Sequence, residues 1–290
     1  MFHEIIKLLR MKQWIKNTFV LAPLLFSHSF IYTDACIKAA LAFVVFCLAS
    51  SAVYILNDIA DKANDAIHPL KKARPIASGK ISPFLGMISA FGCLFAAGLI
   101  SVLFINTKVL SVVGIYLLLN VLYSVKLKNI VIVDVLTIAF GFILRVYAGA
   151  YAIDVPASNF IFMTTFFLAL FLGFCKRKKE LQNFGAQARH VLADYTEELL
   201  NQYVIISVAA TIMCYTLYTL EATTQAYFKG DKIIYSIVFV VWGIFRYQYI
   251  ISRNDNTGDP TENLLTDKSL ILICVLYVCY IMCLLSGVVI

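Results

Sequence analysis

About nine apolar stretches, each long enough to cross a bilayer and separated by short polar segments, run through this 290-residue chain. Crossing roughly 30 Å of hydrocarbon takes about 20 helical residues, so the stretches read as transmembrane helices. They fall near 18–33, 37–56, 84–105, 109–124, 130–152, 158–175, 203–221, 232–251 and 269–289. The first is the weakest: Pro23, Ser27 and His28 interrupt it, and Lys12 and Lys16 stand close before it, so it is expected to enter at a tilt. With 61% hydrophobic and 14% charged residues and a mean hydropathy of +0.84, the chain has too little polar surface to cover a water-soluble globule. The expected fold is all-α: a polytopic membrane bundle of about nine helices, with residues 1–290 as a single transmembrane catalytic domain.

A net charge of +7 would suggest nucleic acid in a soluble protein. Here the basic residues collect in alternate loops, the positive-inside pattern, so no nucleic-acid partner is expected. One side gathers Lys7, Arg10, Lys12 and Lys16, then Lys62, Lys71, Lys72, Arg74 and Lys80, then Lys126 and Lys128, then Lys176 to Lys179 with Arg189, then Arg253 and Lys268. The other has Lys38, Lys108, Lys229 and Lys232. This predicts a multi-pass protein of the cell membrane, its N-terminus inside and its C-terminus outside. No cleavable signal peptide is evident. The outer loops are short and bland, so the chemistry is expected on the cytoplasmic face. Eight Cys residues without a C-x-x-C pair read as small core hydrophobes, and four dispersed His residues give no metal site, so any metal is held by oxygen.

The most specific segment follows the second apolar stretch: Asn57-Asp58-Ile-Ala-Asp61-Lys-Ala-Asn-Asp65. On a helix the three Asp residues would lie within about 60° of one another and span ~10 Å of axis, lining one face. They repel one another, and the C-terminal end of a helix is unfavourable to anions, so a cation among them is expected. Mg2+ suits this, because it takes a few carboxylates, several waters and substrate phosphate oxygens. A solvated polar loop partly neutralised by Lys62 is the plainer alternative. The turn His68 to Lys80 comes next, bracketed by Pro69 and Pro75 and presenting Lys71, Lys72 and Arg74. It reads as a phosphate clamp or, more simply, as a positive-inside loop.

The pattern N-D-x-x-D-x-x-x-D at the end of the second of about nine helices resembles the first signature of the UbiA superfamily of intramembrane prenyltransferases. Met11 to Asn17, His68 to Gly79, Tyr123-Ser124, Asp134-Val135 with Gly141 to Arg145, and Lys176-Arg177 with Glu180-Leu181 resemble its decaprenyl-phosphate phosphoribosyltransferase branch. Aromatic prenyltransferases of the superfamily carry a second D-x-x-x-D motif after helix 6. This chain has Lys176-Arg177-Lys178-Lys179-Glu180 there, a cationic second pole.

The resemblance implies phosphoribosyl diphosphate as donor, a polyprenyl phosphate lipid as acceptor and Mg2+ as cofactor, for a cell-envelope polysaccharide precursor. It implies Asp58, Asp61 and Asp65 as catalytic metal ligands. Lys16, Asn17, Asn57, Lys71, Arg74, Tyr123, Lys128, Asp134, Lys176, Arg177 and Glu180 are then expected at substrate or phosphate. For Tyr123 and Lys128 the plainer alternative is an interfacial tyrosine and a snorkelling lysine. Asp134 reads as a ribose or metal ligand or as a helix cap. Arg145, about 16 Å along the axis from Asp134, reads as a structural partner. Asp259, Glu262 and Asp267 have a weaker claim, as solvated loop residues. A homo-oligomer is compatible with this reading. Two rivals are a conventional prenyltransferase moving a polyprenyl group from its diphosphate to an aromatic acceptor, and a transporter with the Asp residues as a cation vestibule. The missing second Asp motif counts against the first. The second would put polar residues at mid-membrane on several helices, where Arg145 stands nearly alone.

Overall fold

The computed structural model describes residues 2–67, 71–156, 158–185, 189–253 and 259–286. Among them are thirteen α-helices and no strand. The helices are α1 (Phe2–Leu9), α2 (Ala22–Phe26), α3 (Thr33–Ala60), α4 (Lys62–Ile67), α5 (Pro83–Ile100), α6 (Thr107–Val125) and α7 (Val133–Ala152). They continue as α8 (Asn159–Phe184), α9 (Glu197–Leu220), α10 (Ala222–Tyr227), α11 (Ile237–Ser252), α12 (Pro260–Thr266) and α13 (Lys268–Ser286).

Eight of them are long and apolar enough to cross a membrane: α3, α5 with its π-helical extension Ser101–Ile105, α6, α7, α8, α9, α11 with the 3-10 turn before it, and α13. They correspond to the last eight of the expected spans. The first expected span is built differently, as a 3-10 helix over Met11–Leu21, the short α2 and a second 3-10 turn over Ser29–Ile31. Pro23 sits in the first turn of α2, where its missing N–H costs nothing, and His28 takes a left-handed conformation at φ 59° that ends the helical path. Elsewhere the sequence sets the boundaries locally. Ser82 caps α5 by accepting from the Leu85 N–H at 3.2 Å, with Pro83 behind it. Thr196 caps α9 through the Leu199 N–H, and Asp259 caps α12 through the Thr261 N–H.

The chain divides into two compact units, one of residues 1–124 with 144–156 and the other of 125–143 with 157–290. In the first, α3 runs through the core: Ala42, Val45, Phe46, Ala49 and Val53 pack with Val20, with Val109, Val112, Val113 and Tyr116 of α6 and with Ala148 and Ala152 of α7. Small residues make this packing close, as membrane interfaces require. A Cβ added at Gly149 of α7 would lie 1.9 Å from the Val20 carbonyl oxygen and 3.1 Å from Pro23. In the second unit α8 lies along α9, with the Phe174 and Tyr203 rings 5.0 Å apart. Gly173 lets Val135 of α7 approach α8, since a Cβ there would meet Val135 Cγ1 at 2.5 Å.

Gly149→Ala is therefore expected to lower stability by about 1–3 kcal/mol, as overpacking does. Gly98→Ala, where an added Cβ meets nothing within 4 Å, should not lower it. Thermal unfolding of both variants in one detergent checks the contrast.

Candidate active site

The acidic motif ends α3 and continues into α4. Asn57 and Asp58 lie in the last turn of α3, Asp61 caps it, and Asp65 belongs to α4. Backbone bonds from the Asp61 N–H to Asn57 O and from the Asp65 N–H to Asp61 O carry the helical path across the junction. The side chains do not form the single row of three that an unbroken helix implies. Asp58 and Asp65 are buried, at 2% and 3% exposure, whereas Asp61 is half-exposed at the joint.

Asp58 and Asp65 converge on one cation. The same nitrogen of Arg74, Nη1, donates to Asp58 Oδ1 at 3.0 Å and to Asp65 Oδ2 at 2.5 Å. Arg10 Nη2 donates to Asp58 Oδ1 as well, and Lys71 Nζ lies 4.0 Å from Asp65. Two carboxylates buried together would repel strongly, and these guanidinium groups supply the compensation that burial demands. Arg10 reaches the cluster from a left-handed turn at φ 50° after α1, its guanidinium 5.0 Å from the Tyr54 ring. Arg74 is held by the turn behind it: Ile76 and Ile81 are buried with Leu8, Ala52, Ile55 and Ala90, and Gly79 closes the turn at φ 75°. His68 and Pro69 of the expected clamp lie outside the described residues.

The donor set fits a hard divalent ion. Two carboxylate oxygens already reach one positively charged atom, and every donor is oxygen. Among the described residues no three His, Cys, Asp or Glu side chains form a group that could hold a metal. The protein would thus give two carboxylates and leave the remaining positions to water and phosphate oxygens, the partition that Mg2+ favours.

The other expected residues of the first unit separate into two groups. Asn57 Oδ1 accepts from Ser124 Oγ at 2.9 Å, which ties the motif to the end of α6, one residue from the half-buried Tyr123. Lys16 is half-buried. Asn17, expected at the substrate, is wholly buried instead. Its Oδ1 accepts from Arg145 Nε at 2.7 Å and its Nδ2 donates to Ser50 Oγ at 3.1 Å. Arg145 also donates to Tyr116 OH and lies over the Tyr116 and Phe46 rings. Asn17 and Arg145 thus share one buried hydrogen-bonded node with Ser50 and Tyr116.

In the second unit two members of the basic run, Lys176 and Arg177, face carboxylates. Arg177, 1% exposed, donates through Nε to Asp134 Oδ2 at 2.6 Å and through Nη1 to Glu180 Oε2 at 2.7 Å. Glu180 also faces Arg189 at 3.3 Å. Asp134 is fully buried, and its Oδ1 accepts from Tyr195 OH at 2.9 Å. The Tyr195 oxygen in turn accepts from the Ile132 N–H at 2.7 Å, where the β-branched Ile132 is held at φ 68°. Burial and the neighbouring Asp134 carboxylate push the Tyr195 phenol above its ordinary range, so it is a standing donor. Arg177, Asp134 and Glu180, expected at phosphate or ribose, thus bond to one another. Lys176 faces Asp259 at 3.8 Å, and Lys128 stands half-buried in the 3-10 turn Leu127–Asn129. Arg10 and Tyr195 were not legible as site residues: each meets its carboxylate across tens of residues, with no local spacing to mark it.

Removing one member of a buried ion pair strands the other. Arg177→Met is expected to cost about 3–5 kcal/mol, and the Arg177→Met/Asp134→Leu double variant to recover much of that loss. Tyr195→Phe should cost about 1–3 kcal/mol by leaving Ile132 N–H and Asp134 short of a partner. Thermal midpoints of the three variants against wild type check both.

Residues 19–266 match the UbiA prenyltransferase family. The chain is 34% identical over 284 residues to decaprenyl-phosphate phosphoribosyltransferase of Mycolicibacterium smegmatis, covering 92% of this chain and 87% of the relative. It is 33% identical to decaprenyl-phosphate phosphoribosyltransferase of Corynebacterium glutamicum, covering 91% and 81% of the two chains. Among solved structures it resembles a UbiA homolog from Archaeoglobus fulgidus bound to GPP and Mg2+, at TM-score 0.72 and 17% identity, covering 98% of this chain and 99% of the other. With the matched region spanning most of the chain and eight helices among the described residues long and apolar enough to cross a membrane, this multi-pass membrane protein belongs to the UbiA prenyltransferase family.

Proposed function

We propose that the protein transfers a 5-phosphoribosyl group from phosphoribosyl diphosphate to a polyprenyl phosphate, releasing pyrophosphate, in cell-envelope precursor synthesis. The observation that carries this is the likeness along 92% of the chain to a decaprenyl-phosphate phosphoribosyltransferase. Lys176, at the head of the cationic run, agrees with it, standing where aromatic prenyltransferases place a second acidic motif. The proposal takes residues 1–290 as one catalytic domain of the cell membrane, with the acidic cluster open to the cytoplasm.

Asp58 and Asp65 would hold Mg2+, with Asp61 at their edge. Mg2+ when bound neutralises diphosphate charge and makes pyrophosphate a better leaving group. Arg74, Arg10 and Lys71, released from the carboxylates, turn to the diphosphate oxygens, with Asn57, Lys16 and Tyr123 positioning the donor. Lys176 and Lys128 are assigned a further phosphate, of the ribose or of the lipid. Arg177, Asp134 and Glu180 act through one another, fixing the start of α7 and the end of α8. The C1–O bond to pyrophosphate breaks with its electron pair on the leaving group, and a lipid phosphate oxygen forms the new bond from the opposite face, inverting C1. A phosphate is ionised at neutral pH, so no side chain need remove a proton; positioning and electrostatic stabilisation carry the rate.

The test is transfer of label from phosphoribosyl diphosphate into the lipid phase by purified protein, with Mg2+ and polyprenyl phosphate each omitted in turn. Asp58→Asn is expected to lower the rate by about 10²-fold or more, the scale set by loss of one electrostatic stabiliser. Lys176→Ala should weaken use of one phosphate substrate by about 10- to 100-fold, as loss of a charge-assisted bond does. If wild type moves no label yet consumes a polyprenyl diphosphate with an aromatic acceptor, the conventional prenyltransferase reading replaces this one.

A further inference from the structure

The basic run of α8 has a second face that the proposed transfer does not use. Arg177 points into the ion network with Asp134, and Lys178, Lys179, Gln182 and Asn183 lie on the opposite side of the helix, by the 100° turn per residue. Together with Ile251 and Ser252 of α11 they line a cleft of about 480 Å³. Among the described residues its wall carries two ammonium groups and two amides; the nearby carboxylate of Glu197 accepts from Gln182 Nε2 at 3.1 Å.

Lys179 is 2% exposed, yet the partner its ammonium finds among the described residues is one carbonyl, that of Arg253, at 2.7 Å. An ammonium has three protons to donate, and neither lysine pairs with a described carboxylate. The carbonyl ends of α8 and α11 make the site tolerable to a cation without neutralising two of them. Depth adds a further constraint. The apolar part of α8 ends at Cys175, so Lys178 to Asn183 lie about 5–12 Å beyond it along the axis. The polar head-group layer outside the hydrocarbon is about 5–8 Å thick on each side, which takes in Lys178 and Lys179, and basic pockets between membrane helices at this level take anionic head groups.

We propose that the cleft between the ends of α8 and α11 binds a phosphate group, held by Lys178 and Lys179, with Gln182 at its wall. The shared chemistry is a phosphate anion, drawn either from an anionic phospholipid of the surrounding leaflet or from solution. The proposal rests on the chain spanning a bilayer and is independent of the reaction at Asp58 and Asp65. Neither Lys178 nor Gln182 has a role in that reaction, and label transfer by their variants separates the two readings.

The experiment uses the full chain, delipidated in detergent. Native mass spectrometry follows retention of phosphatidylglycerol against phosphatidylcholine, and thermal shift follows inorganic phosphate and pyrophosphate, for wild type, Lys178→Glu, Gln182→Glu and, as a control matching the charge change of Lys178→Glu and exceeding that of Gln182→Glu, the exposed Lys268→Glu. Phosphatidylglycerol retained by wild type and by Lys268→Glu but about 10-fold less by the two cleft variants supports the site and assigns it to lipid. A shift by phosphate or pyrophosphate lost in the same two variants, without lipid retention, supports the site and assigns it to a soluble anion. Equal binding by folded cleft variants, equal loss in Lys268→Glu, or no binding of any probe by wild type overturns it.

Discussion

Two carboxylates buried side by side at the end of a membrane helix can exist only with positive charge between them, and the first unit is organised around that need. Arg74 supplies it from one nitrogen shared by Asp58 and Asp65, and Arg10 supplies it again from the N-terminal segment. The surrounding structure serves to bring these cations in. The turn that carries Arg74 is pinned by Ile76 and Ile81 in the core, and the N-terminal segment that carries Arg10 is pinned on α3 by Trp14 Nε1 donating to Ser51 Oγ, which itself donates to Leu9 O. The cost of an unpaired buried carboxylate, several kcal/mol, is large enough to dictate where both segments lie.

The second unit meets the same requirement in another way. Asp134 is satisfied by Arg177 and Tyr195 together, and Tyr195 extends the chain of bonds to the backbone of Ile132. The strained φ of Ile132 is held by a bond that a phenol makes from sixty-three residues away. A run that reads as four positive charges in sequence therefore presents different faces in space. One guanidinium is consumed internally, Lys176 faces Asp259, and two ammonium groups turn toward α11.

The helices were legible because membrane spans announce themselves through length and apolarity, which need no partner to be recognised. The first span showed its interruptions at Pro23 and His28 but not its form, 3-10 and α pieces packed against Gly149 of a helix far along the chain. At the site, the spacing of Asp58, Asp61 and Asp65 marked the acidic motif but could not show that the helix caps at Asp61 and leaves two carboxylates converging. Residues chosen for their charge, such as Arg177, or for their place beside the first span, such as Asn17, prove to be buried partners. Charge and position along the chain do not reveal which side of a helix is already occupied. Arg10 had no local mark at all.

The shared nitrogen of Arg74 has a consequence for how such a protein is made. Sites built from bare carboxylates or thiolates are often unfolded until their ion arrives, so that folding and loading are one event. Here the acidic pocket carries its own counter-ion, and the bundle can assemble in the membrane with the pocket already neutral. On the proposed function, acquisition of an inorganic ion would exchange one positive charge for another, apart from folding, and the guanidinium so displaced would be available to an incoming anion.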